Sequence, residues 1–307
     1  GCTESLLRTS HPDVAKLILD VVSLDYHETL FAAAGHQIEH ALQQAMDKND
    51  GKFVCVVEGA IPTKNDGVFC RIAGKTAVDM LEEVASRSAA VIAIGSCAAF
   101  GGIPSADPNP TGAVGAPSLV EGKPMVTLPG CPANPYNFLG TVMHLLTEGG
   151  PPDVDEELRP VFAYGRTIHD DCPRRIYFDQ GQFAEQFGDE AHRKGWCLYK
   201  LGCKGPHTKA NCAITQYNEV GAWPVGVGCP CEGCTEKEIA FRVPRFEVMP
   251  AEGAPDQKQA GGVGAGPAAI VGAVGGVAAG AGAMAVRKRT AAGDEAAEGE
   301  SKSEQES

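Results

Sequence analysis

An α/β fold with a mostly parallel sheet is predicted for the first half of this chain. Short apolar runs with little polar alternation recur between residues 16 and 163, the pattern of strands buried on both faces. Segments of helical periodicity separate these runs, as crossover connections between parallel strands require. A third observation concerns the second half: seven of the twelve cysteines fall within residues 172–234, so that region is predicted to be a small domain ordered around metal.

The elements follow in order. Lys16–Leu24 (KLILDVVSL), Lys52–Val57 (KFVCVV), Ala89–Ile94 (AAVIAI), Pro124–Leu128 (PMVTL) and Pro160–Ala163 (PVFA) are predicted strands, and His36–Met46, Ala73–Arg87 and Pro135–Glu148 are predicted helices. Function in open parallel sheets gathers outside the carboxyl ends of the strands. Three suggestive segments stand there: Glu58-Gly59 after KFVCVV, Gly95-Ser96-Cys97 after AAVIAI, and Pro129-Gly130-Cys131-Pro132 after PMVTL. The boundaries read as 1–165 for the sheet domain, 166–250 for the cysteine-rich domain and 251–266 for a linker.

The remaining residues carry a membrane signal. Gly261–Val286 runs 26 residues without a charged or polar side chain, and Arg287-Lys288-Arg289 follows at once. At about 1.5 Å per residue, 267–286 is long enough to cross a bilayer core of roughly 30 Å. Gly272, Gly276 and Gly280 recur at the spacing that lets a second membrane helix approach closely. The basic triplet marks the cytoplasmic end and leaves the globular part outside. A flexible linker is the alternative, because 18 of the 26 residues are Gly or Ala. Residues 287–307, rich in carboxylates, read as a disordered acidic tail.

The 307 residues carry 26 Lys plus Arg against 39 Asp plus Glu, a net charge of −13 with no basic stripe, which excludes nucleic acid as a first-choice partner. Twelve cysteines are too many for an ordinary globular enzyme and too dilute for a disulfide scaffold. His169, Cys172, Cys197 and Cys203 make a four-donor set that either a Cys3His zinc site or a four-iron cluster would use. Cys212, Cys231 and Cys234 form a second set, the last two in C-x-x-C spacing and with Cys229 close by, which favours metal over a redox dithiol. Cys2, Cys97 and Cys131 are candidates for a third, although any lone cysteine is also a small buried hydrophobe. Cys55 and Cys70 read as structural.

With these residues in view, the chain resembles the small, electron-transferring subunit of the nickel–iron hydrogenases over residues 1–250. The motifs that carry the resemblance are GCTESLLR at the start, SLDYHETL (23–30), VEGAIPT (57–63), AIGSCAAFGGIP (93–104), PNPTGAVG (108–115), PGCPANPYNFLGTVMHLL (129–146), HDDCPRR (169–175) and KGWCLYKLGCKGPHTKANC (194–212). The resemblance implies a flavodoxin-like first domain. It implies that Cys2, Cys97 and Cys131 bind a proximal [4Fe-4S] cluster, His169, Cys172, Cys197 and Cys203 a distal [4Fe-4S] cluster, and Cys212, Cys231 and Cys234 a medial [3Fe-4S] cluster. The family's C-x-G-C motif would place a further proximal cysteine two residues before Gly1, together with any twin-arginine export signal.

Further expectations come with it. Oxygen-tolerant relatives carry extra cysteines where this chain has Gly1 and Gly102, so ordinary oxygen sensitivity is expected. Pro224 stands where a fourth medial cysteine would be, which favours three irons, while Cys229 replaces a histidine common in relatives and leaves a four-iron medial cluster as the alternative. Glu58 is the candidate for proton or hydrogen-bond positioning, a solvated loop carboxylate being the other reading. The implied function is an acceptor-linked uptake hydrogenase whose nickel–iron site lies in a large partner subunit, with electrons leaving for a membrane cytochrome b or quinone-reactive subunit and the globular domain on the periplasmic face. The rivals are a zinc-stabilised, membrane-tethered interaction module and the single-cluster, quinone-linked subunit of respiratory complexes.

Overall fold

In the computed structural model, residues 1–217 and 221–254 are described, and the fold is built from them. Three parallel strands, β1 (Val54–Glu58), β2 (Ala90–Ile94) and β3 (Met125–Leu128), lie side by side in sequence order. Val54 pairs with Ala90 and Val91 with Met125, so the three carboxyl ends finish together at Glu58, Ile94 and Leu128. Side chains alternate across β2: Val91 and Ala93 enter one core with Cys55, Leu81 and Ala85, while Ile92 and Ile94 enter the other with Val126, Leu128 and Leu139.

β2 and β3 are buried throughout, as their apolar runs predict. Among the described residues β1 pairs with β2 alone and is an edge strand, with Val54 and Val56 at 40% and 46% exposure. Two predicted strands are helical instead. In Lys16–Leu24, Asp13 caps a turn at Val14–Lys16 by accepting the Lys16 N–H at 2.7 Å, and the chain continues through a π-helical turn at Leu17–Val21. Only Leu17 of this run is buried, and Leu19 is 80% exposed. In Pro160–Ala163, Pro160 makes an isolated antiparallel bridge to Val154 and then opens the helical turn Val161–Tyr164.

The predicted helices form with small changes of boundary. His36–Lys48 runs two residues beyond expectation, and Pro135–Glu148 starts at the Asn134 cap and ends at left-handed Gly149. The helix predicted from Ala73 begins at Ala77, where Thr76 and Asp79 close a capping box. Ala73 and Gly74 form the turn between the paired strands Arg71–Ile72 and Lys75–Thr76.

Among the described residues from 166 onward the helical segments are short, including Arg175–Asp179, Glu190–Arg193 and Cys212–Thr215. The region nevertheless carries apolar weight. Ile168, Leu198, Leu201, Trp223 and Val225 join the same core as Ile92 and Leu128, and Phe178, Phe183 and Tyr199 stack into a separate aromatic cluster. Among the described residues no helix is long and apolar enough to cross a membrane, and the segment 267–286 expected to do so lies outside them.

Candidate metal centres

All twelve cysteines are free thiols. Three of them meet at the carboxyl rim of the sheet. Cys2 opens the helix Cys2–Leu7, and its amide donates to Glu58 Oε1 at 2.9 Å, at the end of β1. Its Sγ accepts the Ala133 N–H at 3.4 Å, beside the loop that carries Cys131. Cys97 lies in the short helix Gly95–Phe100 that leaves β2. Ser96 ties these segments together: its hydroxyl accepts the Gly130 N–H at 2.9 Å and donates to the Cys234 carbonyl. The three segments singled out at strand ends therefore do share one rim, joined there by the N-terminal helix.

Glu58 is held by this rim. Besides the Cys2 amide it accepts the Thr3 N–H at 3.2 Å and the Thr3 hydroxyl. Burial raises its pKa, but the hydrogen bonds from Thr3 and Cys2 outweigh burial and leave it below the ordinary glutamate value. Its carboxylate pins the segment that presents Cys2.

In the second half, His169, Cys172, Cys197 and Cys203 line one hollow with Arg174, Arg175 and Val225, about 290 Å³ including its open mouth. Arg174 donates to the Trp196 carbonyl at 2.9 Å and so fastens the Cys172 loop to the Cys197 loop. The His169 ring packs edge-on against Phe178 with centroids 4.5 Å apart, and burial, then Arg175, lowers its pKa, which favours the neutral imidazole that ligates metal.

Cys212, Cys231 and Cys234 lie in the adjoining seam. Cys212 and Cys231 are buried, and the Cys231 Sγ accepts the Gly233 N–H at 3.4 Å. Arg159 anchors the loop after Cys234, donating to the Thr235 carbonyl at 3.0 Å while pairing with Asp155 and Glu236 at 2.8 and 2.9 Å. The Cys231 amide donates to the Cys203 Sγ at 3.4 Å, so this set and the hollow share a hydrogen bond. Cys229 stands apart: it is exposed, and its amide donates to the Pro224 carbonyl at 2.9 Å.

Two residues not singled out in the sequence, Arg159 and Lys204, are buried within this framework. The signal for Lys204 was its place directly after Cys203 in a segment otherwise without a carboxylate partner; Arg159 had no local signal.

Whether metal clusters suit these sites can be judged from the cradles. A Cβ at Gly95 would stand 2.5 Å from the Cys2 Sγ, and one at Gly102 would stand 2.7 Å from the Cys97 Sγ, so glycine leaves these sulfurs room that any side chain would take. Burial pushes the thiol pKa of Cys2 and Cys212 up to about 11 and of Cys197 and Cys234 up to about 12. Such thiols stay neutral until a metal favours the thiolate. Among the described residues no group of three or more His, Cys, Asp or Glu is gathered tightly enough for a single ion. One imidazole and three thiols around a hollow are the donors that either a tetrahedral zinc or a four-iron cubane would use.

Cysteines at a sheet rim, joined to a cysteine- and histidine-lined region of little regular structure, fit an α/β protein of the iron–sulfur class. Residues 1–145 match the family model of the NADH ubiquinone oxidoreductase 20 Kd subunit, and residues 164–247 match the C-terminal family model of the NiFe/NiFeSe hydrogenase small subunit. The second match covers the His169–Cys234 donors and distinguishes the chain from single-cluster relatives. The chain is 50% identical to the Hydrogenase-2 small chain of Escherichia coli (strain K12), over 94% of its own length and 80% of that protein's. It is 45% identical to the quinone-reactive Ni/Fe-hydrogenase small chain of Wolinella succinogenes, over 80% and 70% of the two chains. In structure it is similar to the recombinant [NiFeSe] hydrogenase from Desulfovibrio vulgaris Hildenborough, with a TM-score of 0.75, 34% identity and coverage of 81% and 93%. The chain belongs to the family of [NiFe] hydrogenase small subunits, and the catalytic centre of such enzymes is in the large subunit.

Proposed function

We propose that this chain conducts electrons released by dihydrogen oxidation in a large partner subunit toward a membrane acceptor, as part of an uptake [NiFe] hydrogenase. The observation that carries the reading is the gathering of His169, Cys172, Cys197 and Cys203 around one hollow inside the segment that matches the hydrogenase family. These four residues would hold a distal [4Fe-4S] cluster; Cys2, Cys97 and Cys131 would serve a proximal [4Fe-4S] cluster at the sheet rim, and Cys212, Cys231 and Cys234 a medial [3Fe-4S] cluster between them. When bound, such clusters supply one-electron redox centres at potentials set by ligand type, hydrogen bonding and burial. The chain itself fixes the ligand loops, through Glu58 at Cys2, Ser96 between the rim and Cys234, and Arg159 behind Cys234. Residues 1–165 serve as the flavodoxin-like domain and 166–250 as the cluster domain.

The membrane side of the reading rests on the sequence of residues 267–286, flanked by Arg287-Lys288-Arg289, and on the quinone-reactive relative. Residues 267–286 anchor the chain, the globular part faces the periplasm, and a membrane cytochrome b or quinone-reactive subunit takes the electrons. Release of the enzyme from membranes on removal of residues 256–307 is expected, and equal partition with and without them would refute the anchor.

The function is tested by co-expression with a large subunit. About eleven irons in this chain, one more at the large subunit's nickel–iron site, and dihydrogen-dependent dye reduction are expected. Two or three zinc ions and no iron would overturn the reading in favour of an interaction module.

A further inference from the structure

Lys204 is the one wholly buried lysine among the described residues. Its Nζ donates to the carbonyls of Gly202, Pro244, Arg245 and Glu247 at 3.1, 3.0, 2.9 and 3.2 Å. A neutral amine has two N–H donors and a lone pair, and that lone pair would be forced against a carbonyl oxygen here. Four converging carbonyls therefore favour the ammonium, against burial, which lowers its pKa from the ordinary lysine value.

The charge is held without an ion pair. Arg159, the other deeply buried cation, is paired with Asp155 and Glu236, whereas each hydrogen-bond partner of the Lys204 ammonium is an uncharged carbonyl. Of the acidic side chains that act on Lys204, Glu232 is paired with Arg245 at 3.0 Å and Glu247 is exposed to solvent. The backbone of Lys204 lies in the seam between two ligand sets: Lys204 follows Cys203, its amide donates to the Cys231 carbonyl at 2.8 Å, and the Cys231 amide donates to the Cys203 Sγ; among ionisable groups, the Cys231 and Cys203 thiols act most strongly on its ammonium. Cys2, Cys97 and Cys131 belong to the sheet rim instead.

We propose that Lys204 is a positioning residue whose uncompensated buried charge raises the reduction potentials of the distal and medial clusters together and leaves the proximal cluster unaffected. The inference rests on the cluster assignment of the preceding section. A fixed cation in a low-dielectric interior stabilises the reduced, more negative state of any redox centre beside it. By holding the 244–247 strap with the same ammonium, the chain keeps that charge dry and in place.

The test uses the loaded heterodimer with EPR-monitored redox titration of the parent and of Lys204→Met, Lys204→Gln and Lys204→Arg. The iron content and cluster signals of the parent are measured first; their absence would defeat the cluster assignment itself. With them present, both neutral variants are expected to show distal and medial midpoint potentials shifted negative with the proximal potential unmoved, and Lys204→Arg to restore the parent values. Unshifted distal and medial potentials, or equal shifts of all three, would overturn the proposal. Should Lys204→Met fail to load, Lys204→Gln, whose amide still donates to two carbonyls, is titrated in its place. Failure of both neutral variants to load beside a loaded Lys204→Arg would make the residue a clamp alone and also overturn it.

Discussion

Gly95→Ala is the sharpest local perturbation available at the sheet rim. Gly95 begins the helix after β2 with φ at +84°, and a Cβ added there would stand 2.5 Å from the Cys2 Sγ and 3.6 Å from the Gly130 carbonyl. Placing an L-residue in left-handed backbone costs roughly 1–2 kcal/mol. Overpacking a filled site adds about 1–3 kcal/mol, so the sum is about 2–5 kcal/mol. Cys2 has little freedom to yield, since its amide is bound to Glu58 at 2.9 Å and its sulfur to the Ala133 N–H at 3.4 Å. The collision falls on the sulfur, so the proximal cluster should be lost first. Iron analysis of the purified heterodimer should fall by about four atoms, with the EPR signal of the three-iron cluster retained and Tm lowered by several degrees. Gly122→Ala is the control for strain alone, because φ there is +70° and nothing lies within 4 Å of its added Cβ. Full iron content and the parent Tm in Gly95→Ala would refute the placement of Cys2 at this site.

Three further outcomes are expected. Glu58→Gln should lower stability by about 1 kcal/mol, less than the roughly 1.5–3 kcal/mol of a buried charge-assisted hydrogen bond because the carboxylate is only half-buried. The parent's Glu58 pKa lies below its unfolded value, so this contribution is present above the unfolded pKa and lost as pH falls through the folded one; denaturation from pH 6 to pH 3 should show the two proteins converging in acid. Arg159→Met leaves Asp155 and Glu236 without their cation and should cost about 3–5 kcal/mol, with denaturant unfolding as the measure and the three-iron EPR signal lost before the others. Cys229→Ser, at an exposed position away from the buried thiols, should keep the parent iron content and the three-iron signal; loss of either would give Cys229 a place among the medial ligands.

The legible parts of the fold were those where one physical signal acted unopposed. Ala90–Ile94 and Met125–Leu128 are apolar on both faces and have no competing cap, and both are central to the sheet. In Lys16–Leu24 the apolar run is broken by Asp20, and Asp13 offers a side-chain cap three residues before Lys16, which acts before any sheet partner is found. PVFA is likewise helical after its first residue: Pro160 makes one isolated bridge to Val154 and caps the turn Val161–Tyr164. At the centres, cysteine spacing pointed to the hollow lined by His169, Cys172, Cys197 and Cys203, because the donors there come from a few adjoining turns. The supporting residues were hidden for the opposite reason. Arg159 meets Glu236 across 77 positions, and Ser96 meets the Cys234 carbonyl across 138, separations at which no local pattern exists.

The same long-range contacts bear on how the centres are held. If metal alone organised residues 166–250, the region would have no apolar reason to sit where it does. Ile168, Leu198, Trp223 and Val225 instead share one core with Ile92, Ile94 and Leu128 from the sheet, and Cys2, Cys212 and Cys231 are members of that core. Apolar burial thus brings the thiols to their places and, by the same desolvation, keeps them protonated and poor nucleophiles. A bound metal would supply the missing half, because a cation makes a thiolate favourable in that interior. The division of labour explains why glycine at 95 and 102, Arg159 and Lys204 matter as much to these centres as the cysteines do. They decide how much room and how much charge each buried sulfur has, and ligand identity leaves both of those unset.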